Sequence, residues 1–117
     1  MGETRSYLGG RGNYQIVGAL GKRTLMRMVE LIEREGWIRC GGLVALKPGG
    51  MYYETLVRPK YKFSGKPLRN CPIRRIHDED AAKLVEEVEW FLRKGWKING
   101  GIYRNYYGDF AQELIKE

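Results

Sequence analysis

The residues best suited to binding chemistry in this 117-residue chain are the cations between Arg58 and Arg75. This segment holds seven Lys and Arg residues and no acid, whereas the rest of the chain holds 14 basic and 14 acidic residues. The formal net charge of +7 therefore belongs to one segment. Concentrated positive charge attracts anions more strongly than dispersed charge, so an anionic partner is expected here. A solvated linker is the alternative interpretation.

Aromatic side chains alternate with cations at the start of this segment, where Tyr61 and Phe63 follow Lys60 and Lys62. Aromatic rings stack on bases while neighbouring cations contact phosphates. We therefore expect ligand-binding roles for six residues: Arg58, Lys60, Tyr61, Lys62, Phe63 and Arg69. The pattern suits a nucleic acid and a free nucleotide equally well.

A second candidate anion site lies between Gly18 and Thr24, where a predicted strand turns into a predicted helix. It differs from a nucleotide-hydrolysing phosphate loop, because its two glycines are too close together and Arg23 stands where Ser or Thr should hold magnesium. Triphosphate hydrolysis is therefore not expected. The free amides of a helix N-terminus still favour a phosphate, here beside Lys22 and Arg23, with Thr24 as the predicted N-cap.

Residues for catalysis or metal binding are sparse. His77 is the only histidine, and the acids at 78–80 suit the N-cap and first turn of a helix. Cys40 and Cys71 form neither a disulfide framework nor a paired metal motif. We expect a non-enzymatic protein without metal or cofactor.

An internal repeat supplies the elements that must position these residues. Gly-Trp, three residues and Gly-Gly occur from Gly36 to Gly42 and again, 59 residues later, from Gly95 to Gly101. Further downstream the alignment continues with one residue fewer, placing Leu56 on Leu114. The repeat predicts a flexible arm followed by two tandem units and a basic connection, with the boundaries 1–12, 13–58, 59–71 and 72–117.

The first unit has the pattern strand, helix, strand, strand. A strand over 13–20 precedes a helix that starts at Thr24 and ends at Gly36, a glycine suited to the positive φ of a helix C-terminus. Strands follow at 37–47 and 51–58, joined by a turn. The helix carries one apolar stripe, formed by Leu25, Met28, Val29 and Ile32.

The second unit repeats this order, with a strand over 73–76, a helix from 78–80 to Gly95, and strands over 96–104 and 110–115. One unit alone cannot bury both faces of its elements. Two units together predict an α+β fold, a two-layer sandwich of antiparallel sheet with both helices on one face. We expect Trp37 and Trp96 to anchor the cores, and the Gly-Gly pairs to allow a bend or a close approach.

The motif from Gly36 to Gly42, followed by Tyr52-Tyr53-Glu54-Thr55-Leu56-Val57, resembles a family of small uncharacterised bacterial and phage domains with a Gly-Trp-x-x-x-Gly-Gly…Tyr-Tyr-x-x-Leu-Val signature. The second unit keeps Gly-Trp and Gly-Gly but has a different last strand. The resemblance implies a fold more than an activity. In size, basicity and α+β build the chain is also similar, by analogy, to phage proteins of the Thoeris anti-defence type, which sequester immune signalling nucleotides.

Three functional hypotheses follow from these features. The first is a non-enzymatic homo-oligomer that captures a small anionic nucleotide, as a phage protein acting as a sponge for an immune signal would. The second is a DNA- or RNA-binding protein that uses the basic segment, and the third is an inhibitory protein-interaction module with exposed tyrosines as hot spots. No apolar run approaches the roughly 20 residues of a membrane span, and no signal peptide is evident, so a cytoplasmic location is expected, in the host cell if the protein is viral.

Overall fold

The computed structural model of this chain describes residues 5–8, 12–41, 44–45, 51–63, 65 and 70–116. The first unit contains strands β1 to β5 at Arg5–Leu8, Tyr14–Ala19, Ile38–Arg39, Val44–Ala45 and Tyr52–Val57, and helix α1 at Lys22–Glu33. The second unit contains strands β6 to β9 at Ile73–Asp78, Lys97–Ile98, Tyr103–Arg104 and Phe110–Ile115, and helix α2 at Ala81–Arg93.

Each unit builds its own antiparallel sheet around its last strand. In the first sheet β5 pairs with β2 on one side, Tyr14 opposite Val57, and with β3 and β4 on the other. In the second sheet β9 pairs with β6, Ile73 opposite Ile115, and with β7 and β8 on the other side. The predicted α+β class and the two β-α-β-β units are confirmed.

The apolar stripe predicted for α1 is buried against one face of the first sheet. Leu25, Met28 and Val29 pack with sheet residues and with the indole of Trp37 in one core. Helix α2 covers the equivalent face of the second sheet, where its apolar residues pack with Leu114. The same α2 core also contains residues of the first unit, namely Tyr14, Ile16, Cys40 and Val57.

The first sheet is therefore covered on both faces, by α1 on one and by the second unit on the other. Side chains alternate between faces along a strand, so Ile16 and Val17 point to opposite sides, and they belong to different cores. All six residues of β2 are buried. Helix α2 contacts β2 as well as its own sheet, so residues of the second unit cover the face of the first sheet that is turned away from α1.

Glycines and buried hydrogen bonds join the two units. A Cβ placed on Gly41 would lie 2.9 Å from the backbone nitrogen of Gly101, so the absence of side chains at Gly41 and Gly101 allows one backbone to approach the other. Nearby, the hydroxyl of Tyr14 donates to Oε1 of Gln112 at 2.7 Å. The amide of Ile102 donates to Oγ1 of Thr55 at 3.1 Å.

Several local predictions are corrected by the structure. Helix α1 begins at Lys22 with Gly21 as its N-cap and no capping side chain, so Thr24 lies in the first turn instead. Residues 5–8 of the expected flexible arm form β1, which pairs with β2. Each long strand predicted across a Gly-Gly pair is two short strands, because glycine weakens strand pairing and Gly100 adopts a φ of +80°. The turn expected after residue 47 lies outside the described residues.

Candidate functional site

Arg58, the first cation of the predicted site, makes its contacts within the first unit. Its guanidinium carbon lies 4.2 Å from the ring centre of Trp37, and its Nη1 donates to the carbonyl of Glu35 at 2.9 Å. That carbonyl follows the end of α1, where cations stabilise the exposed carbonyl groups. The position of Arg58 therefore has a structural explanation.

The next residues of the basic connection also bind inward. Residues Pro59–Tyr61 form a 3₁₀ turn, and the ammonium of Lys62 donates to the carbonyl of Arg39 at 3.1 Å. The amide of Phe63 donates to the carbonyl of Ile98, and the Phe63 side chain is only 8% exposed. The stacking face expected from Phe63 is therefore not available at the surface.

Lys60 and Tyr61 retain partial access to solvent. The ammonium of Lys60 is exposed and lies 5.1 Å from the ring centre of Tyr61, which is half-buried and packs against the α2 core. Arg69 lies outside the described residues, so its predicted role stays a prediction.

Lys22 and Arg23 occupy the first turn of α1, and both are exposed. The ammonium of Lys22 lies 5.4 Å from the ring centre of Tyr52, at the start of β5. Arg58 follows the other end of that strand, and six residues at about 3.3 Å each separate the two ends by about 20 Å. The two predicted cation groups thus lie at opposite ends of β5, and phosphate binding by Lys22, Arg23 and Thr24 stays a prediction.

A cluster that the sequence analysis did not identify lies around the last turns of α2. Phe91 contacts two other rings edge to face: its ring centre is 5.0 Å from that of Trp90 and 6.0 Å from that of Trp96. Three exposed cations surround these rings. We call this cluster the α2 patch, and its members are Arg74, Trp90, Phe91, Lys94, Trp96 and Lys116.

Each cation of the α2 patch lies over at least one ring. The guanidinium of Arg74 lies 5.4 Å from the centre of Phe91 and 5.8 Å from that of Trp96. The ammonium of Lys94 lies 5.2 Å from the centre of Trp90, and that of Lys116 lies 5.8 Å from Trp96. Since the cations are exposed, they can contact an anion while the rings hold their positions.

The amphipathic pattern of α2 explains why the patch is open to solvent. The helix buries Leu84, Val88 and Leu92, and Trp90 lies outside this stripe with 49% of its surface exposed. A large exposed aromatic residue on the polar side of a helix has no role in the core. The position of Trp90 in the sequence, three residues before Arg93 and four before Lys94, was the signal that could have revealed the patch.

The Glu54 carboxyl and the Cys40 thiol are ionisable groups buried in the first unit. Glu54 is 1% exposed, and one of its carboxylate oxygens accepts bonds from Nε and Nη2 of Arg39 at 2.9 and 2.7 Å. Burial raises the pKa of the Glu54 carboxyl, and the bonds from Arg39 oppose that rise. Burial also raises the pKa of the Cys40 thiol to about 12, which makes it a poor nucleophile at neutral pH. Glu54 and Cys40 are therefore part of the buried interior of the first unit.

His77 lies on the second sheet, with its Nδ1 2.9 Å from a carboxylate oxygen of Asp109. The ring of Tyr107 stacks beside it at 6.4 Å between centres. Within the described residues, no three side chains of the metal-ligating types are grouped so that they could hold an ion. Of the acids predicted to open the helix, Asp80 is the N-cap of α2, and its side chain accepts from the amide of Ala82. The first turn of α2 holds no acid, and Asp78 is the last residue of β6.

Two tyrosines are prominent at the tip of the second hairpin. Tyr106 and Tyr107 are 96% and 79% exposed, and their rings meet edge to face at 5.7 Å. Exposed tyrosines are common in protein interfaces. The protein-interaction hypothesis, which would use exposed tyrosines of this kind, stays a prediction.

Comparisons with protein-family models, with curated proteins and with solved structures found no match to this chain. The family resemblance based on the Gly-Trp and Tyr-Tyr motifs therefore stays a prediction. Neither helix in the described part of the chain is long and apolar enough to cross a membrane.

Proposed function

We propose that this protein is a non-enzymatic binder of single-stranded nucleic acid and that the α2 patch is its contact surface. The observation that carries the proposal is the half-exposed indole of Trp90, with the ammonium of the exposed Lys94 5.2 Å from its ring centre. Proteins that hold single strands without reading their sequence use this combination, in which bases stack on rings and cations follow the phosphates.

An open patch suits a strand better than a free nucleotide. Small ligands are usually enclosed, with most of their surface buried in a cleft, whereas Arg74, Lys94 and Lys116 are all exposed around the rings. A nucleic acid carries one phosphate per nucleotide and can contact several such cations at once. A duplex keeps its bases stacked, so only unpaired bases can use the face of Trp90.

Acidic and basic residues occupy different turns of α2, and this indicates where a bound strand would cross the helix. Glu86 and Glu87 lie one turn before Trp90, while Arg93 and Lys94 lie in the turn after it, and all four side chains are exposed. The negative end of the helix dipole is thereby offset by cations. A bound strand is expected to cross the C-terminal end of α2 and to avoid its middle.

The repeat supplies a matched control for the experiment. Leu31 is the counterpart of Trp90 in α1 and is 58% exposed. We expect Trp90→Ala to weaken binding of a fluorescent oligothymidine by about 1–3 kcal/mol, measured by anisotropy at fixed salt. Leu31→Ala, which removes an exposed apolar side chain from the same position of the other helix, should leave the affinity unchanged.

Three ligands separate the hypotheses in the same assay. Oligothymidine should bind more tightly than a duplex of equal length, and a mononucleotide should compete weakly. The proposal fails if wild type binds no oligonucleotide or if Trp90→Ala binds as wild type does. Equal affinity for the mononucleotide, lost on reversing the charges of Lys22 and Arg23, would support nucleotide capture instead.

A further inference from the structure

Strand β6 forms an edge of the second sheet. It pairs with β9 on one side, and in the chain segments that the structure describes no strand lies along its other side. The counterpart in the first unit, β2, pairs with β5 on one side and with β1 on the other. The two units therefore differ by one strand at equivalent edges.

The hydrogen bonds between β6 and β9 show which backbone groups of β6 point away from β9. The amide of Lys116 donates to the carbonyl of Pro72 at 3.1 Å, and bonded positions recur every second residue, so 74, 76 and 78 face β9. The backbone groups of Ile73, Arg75 and His77 consequently point away from β9. The equivalent groups of β2 face β1, where Ile16 pairs with Leu8 and Gly18 with Ser6.

We infer that the outer edge of β6 pairs antiparallel with β6 of a second copy, forming a dimer with one continuous sheet. Unpaired strand edges are templates for strand addition. The first unit shows that this fold accepts a strand at the equivalent edge. The inference is argued from the strand edge and not from nucleic-acid binding, although one of its residues, Arg74, also belongs to the α2 patch.

The charges of β6 favour one register of self-pairing. With Ile76 opposite Ile76 of the partner subunit on a two-fold axis, Arg74 stands opposite Asp78 of the partner subunit, and this ion pair occurs twice. Arg75 and His77 of the partner subunit then form the hydrogen-bonded pair. In the register that places Arg75 opposite Arg75 of the partner subunit, like charges would lie opposite each other, and this destabilises a sheet. Charge complementarity thus selects a second copy as the occupant.

Reciprocal charge reversal tests the register. Arg74→Asp and Asp78→Arg should each raise the dimer dissociation constant by about tenfold or more, since each creates two like-charge contacts. The double variant restores opposite charges and should return to within about threefold of wild type. Sedimentation velocity on nucleic-acid-free protein measures the constant. Lys83→Asp, a reversal on the exposed side of α2, should leave it unchanged.

A crosslink decides the matter if the charge variants fail to fold. Ile76→Cys in a Cys71→Ser background should form an intermolecular disulfide on mild oxidation, because opposed residues of a non-hydrogen-bonded pair have Cα atoms about 4.5 Å apart. Ile73→Cys, which has no strand residue opposite it in this register, should not. A monomeric wild type at every concentration, a folded double variant without recovery, or absence of the Ile76→Cys crosslink would each overturn the inference.

Discussion

Lys116 lies over the ring of Trp96 just as Arg58 lies over the ring of Trp37, at 5.8 and 4.2 Å from the ring centres. In each unit the tryptophan follows a helix-ending glycine, with φ of +95° at Gly36 and +98° at Gly95. In each unit the cation directly follows the last strand and reaches back to the indole. The repeat therefore preserves the contact between this cation and the indole, in addition to the Gly-Trp motif itself.

The two tryptophans should contribute unequally to stability. Trp37 is 5% exposed within the α1 core, so Trp37→Ala should cost about 3–5 kcal/mol. Trp96 is only partly buried and packs at the margin of the α2 core, so Trp96→Ala should cost clearly less. Urea denaturation measures both losses. Equal losses, which the sequence alone predicts, would contradict the difference in burial.

The close approach of the units predicts a steric effect at Gly41. A Cβ there would meet the nitrogen and Cα of Gly101 at 2.9 and 3.0 Å, and backbone atoms cannot move aside easily. Gly41→Ala should therefore destabilise the protein by about 1–3 kcal/mol. Gly65→Ala is the control, since a Cβ there would lie no closer than 3.5 Å to another atom. Similar midpoints for the two variants would show that the units do not pack this closely.

Alkaline pH should destabilise the protein through Cys40. Burial raises the pKa of its thiol from 9.0 to about 12, so the folded state keeps the proton that the unfolded state loses. The stability contribution is complete below pH 9.0 and is lost as the pH rises towards about 12. By pH 10.5 the loss should reach about 2 kcal/mol. Burial also raises the pKa of Tyr14, which adds to the loss in the same direction.

Comparing two cysteine variants isolates this effect. Cys40→Ala should lower stability at neutral pH through a small cavity but should show a shallower decline between pH 9 and pH 12, a window that follows from the shift of Cys40. Cys71→Ala keeps the buried thiol of Cys40, so it should decline as wild type does. If the stability of wild type and of Cys40→Ala fell equally with rising pH, the buried thiol would be ruled out as the cause.

Local patterns predicted the units well because they depend on short-range rules. The strand over 110–115 was predicted from the repeat, and the glycines that end both helices from the need for positive φ. The burial of β2 on both faces was not predicted, because the loose alternation of its residues does not show that a second core forms against it. The second unit packs against the face of β2 that is turned away from α1, so its position relative to the first unit was not predicted either.

The candidate site was harder to predict because charge in the sequence does not show which cations are used internally. Arg58 and Lys62 donate to backbone carbonyls, and Phe63 is buried, although all three belong to the basic segment. The exposed rings and cations come together from β6, α2 and the end of the chain. Only the fold places Arg74 and Lys116 beside Trp96.

The cations of the α2 patch should determine the salt dependence of nucleic-acid binding. Lys94 and Lys116 are exposed members of the α2 patch, and Lys94 lies beside the indole of Trp90. Each phosphate contact with a single strand adds about 0.7 to the slope of log affinity against log salt, through counterion release. Lys94→Gln and Lys116→Gln should therefore each lower the slope by about 0.7, measured by anisotropy with oligothymidine. Arg34→Gln, at the exposed end of α1, should leave the slope unchanged because its helix carries Leu31 instead of a tryptophan. An equal fall in all three variants would mean that binding follows net charge alone, and the α2 patch would then have no special role.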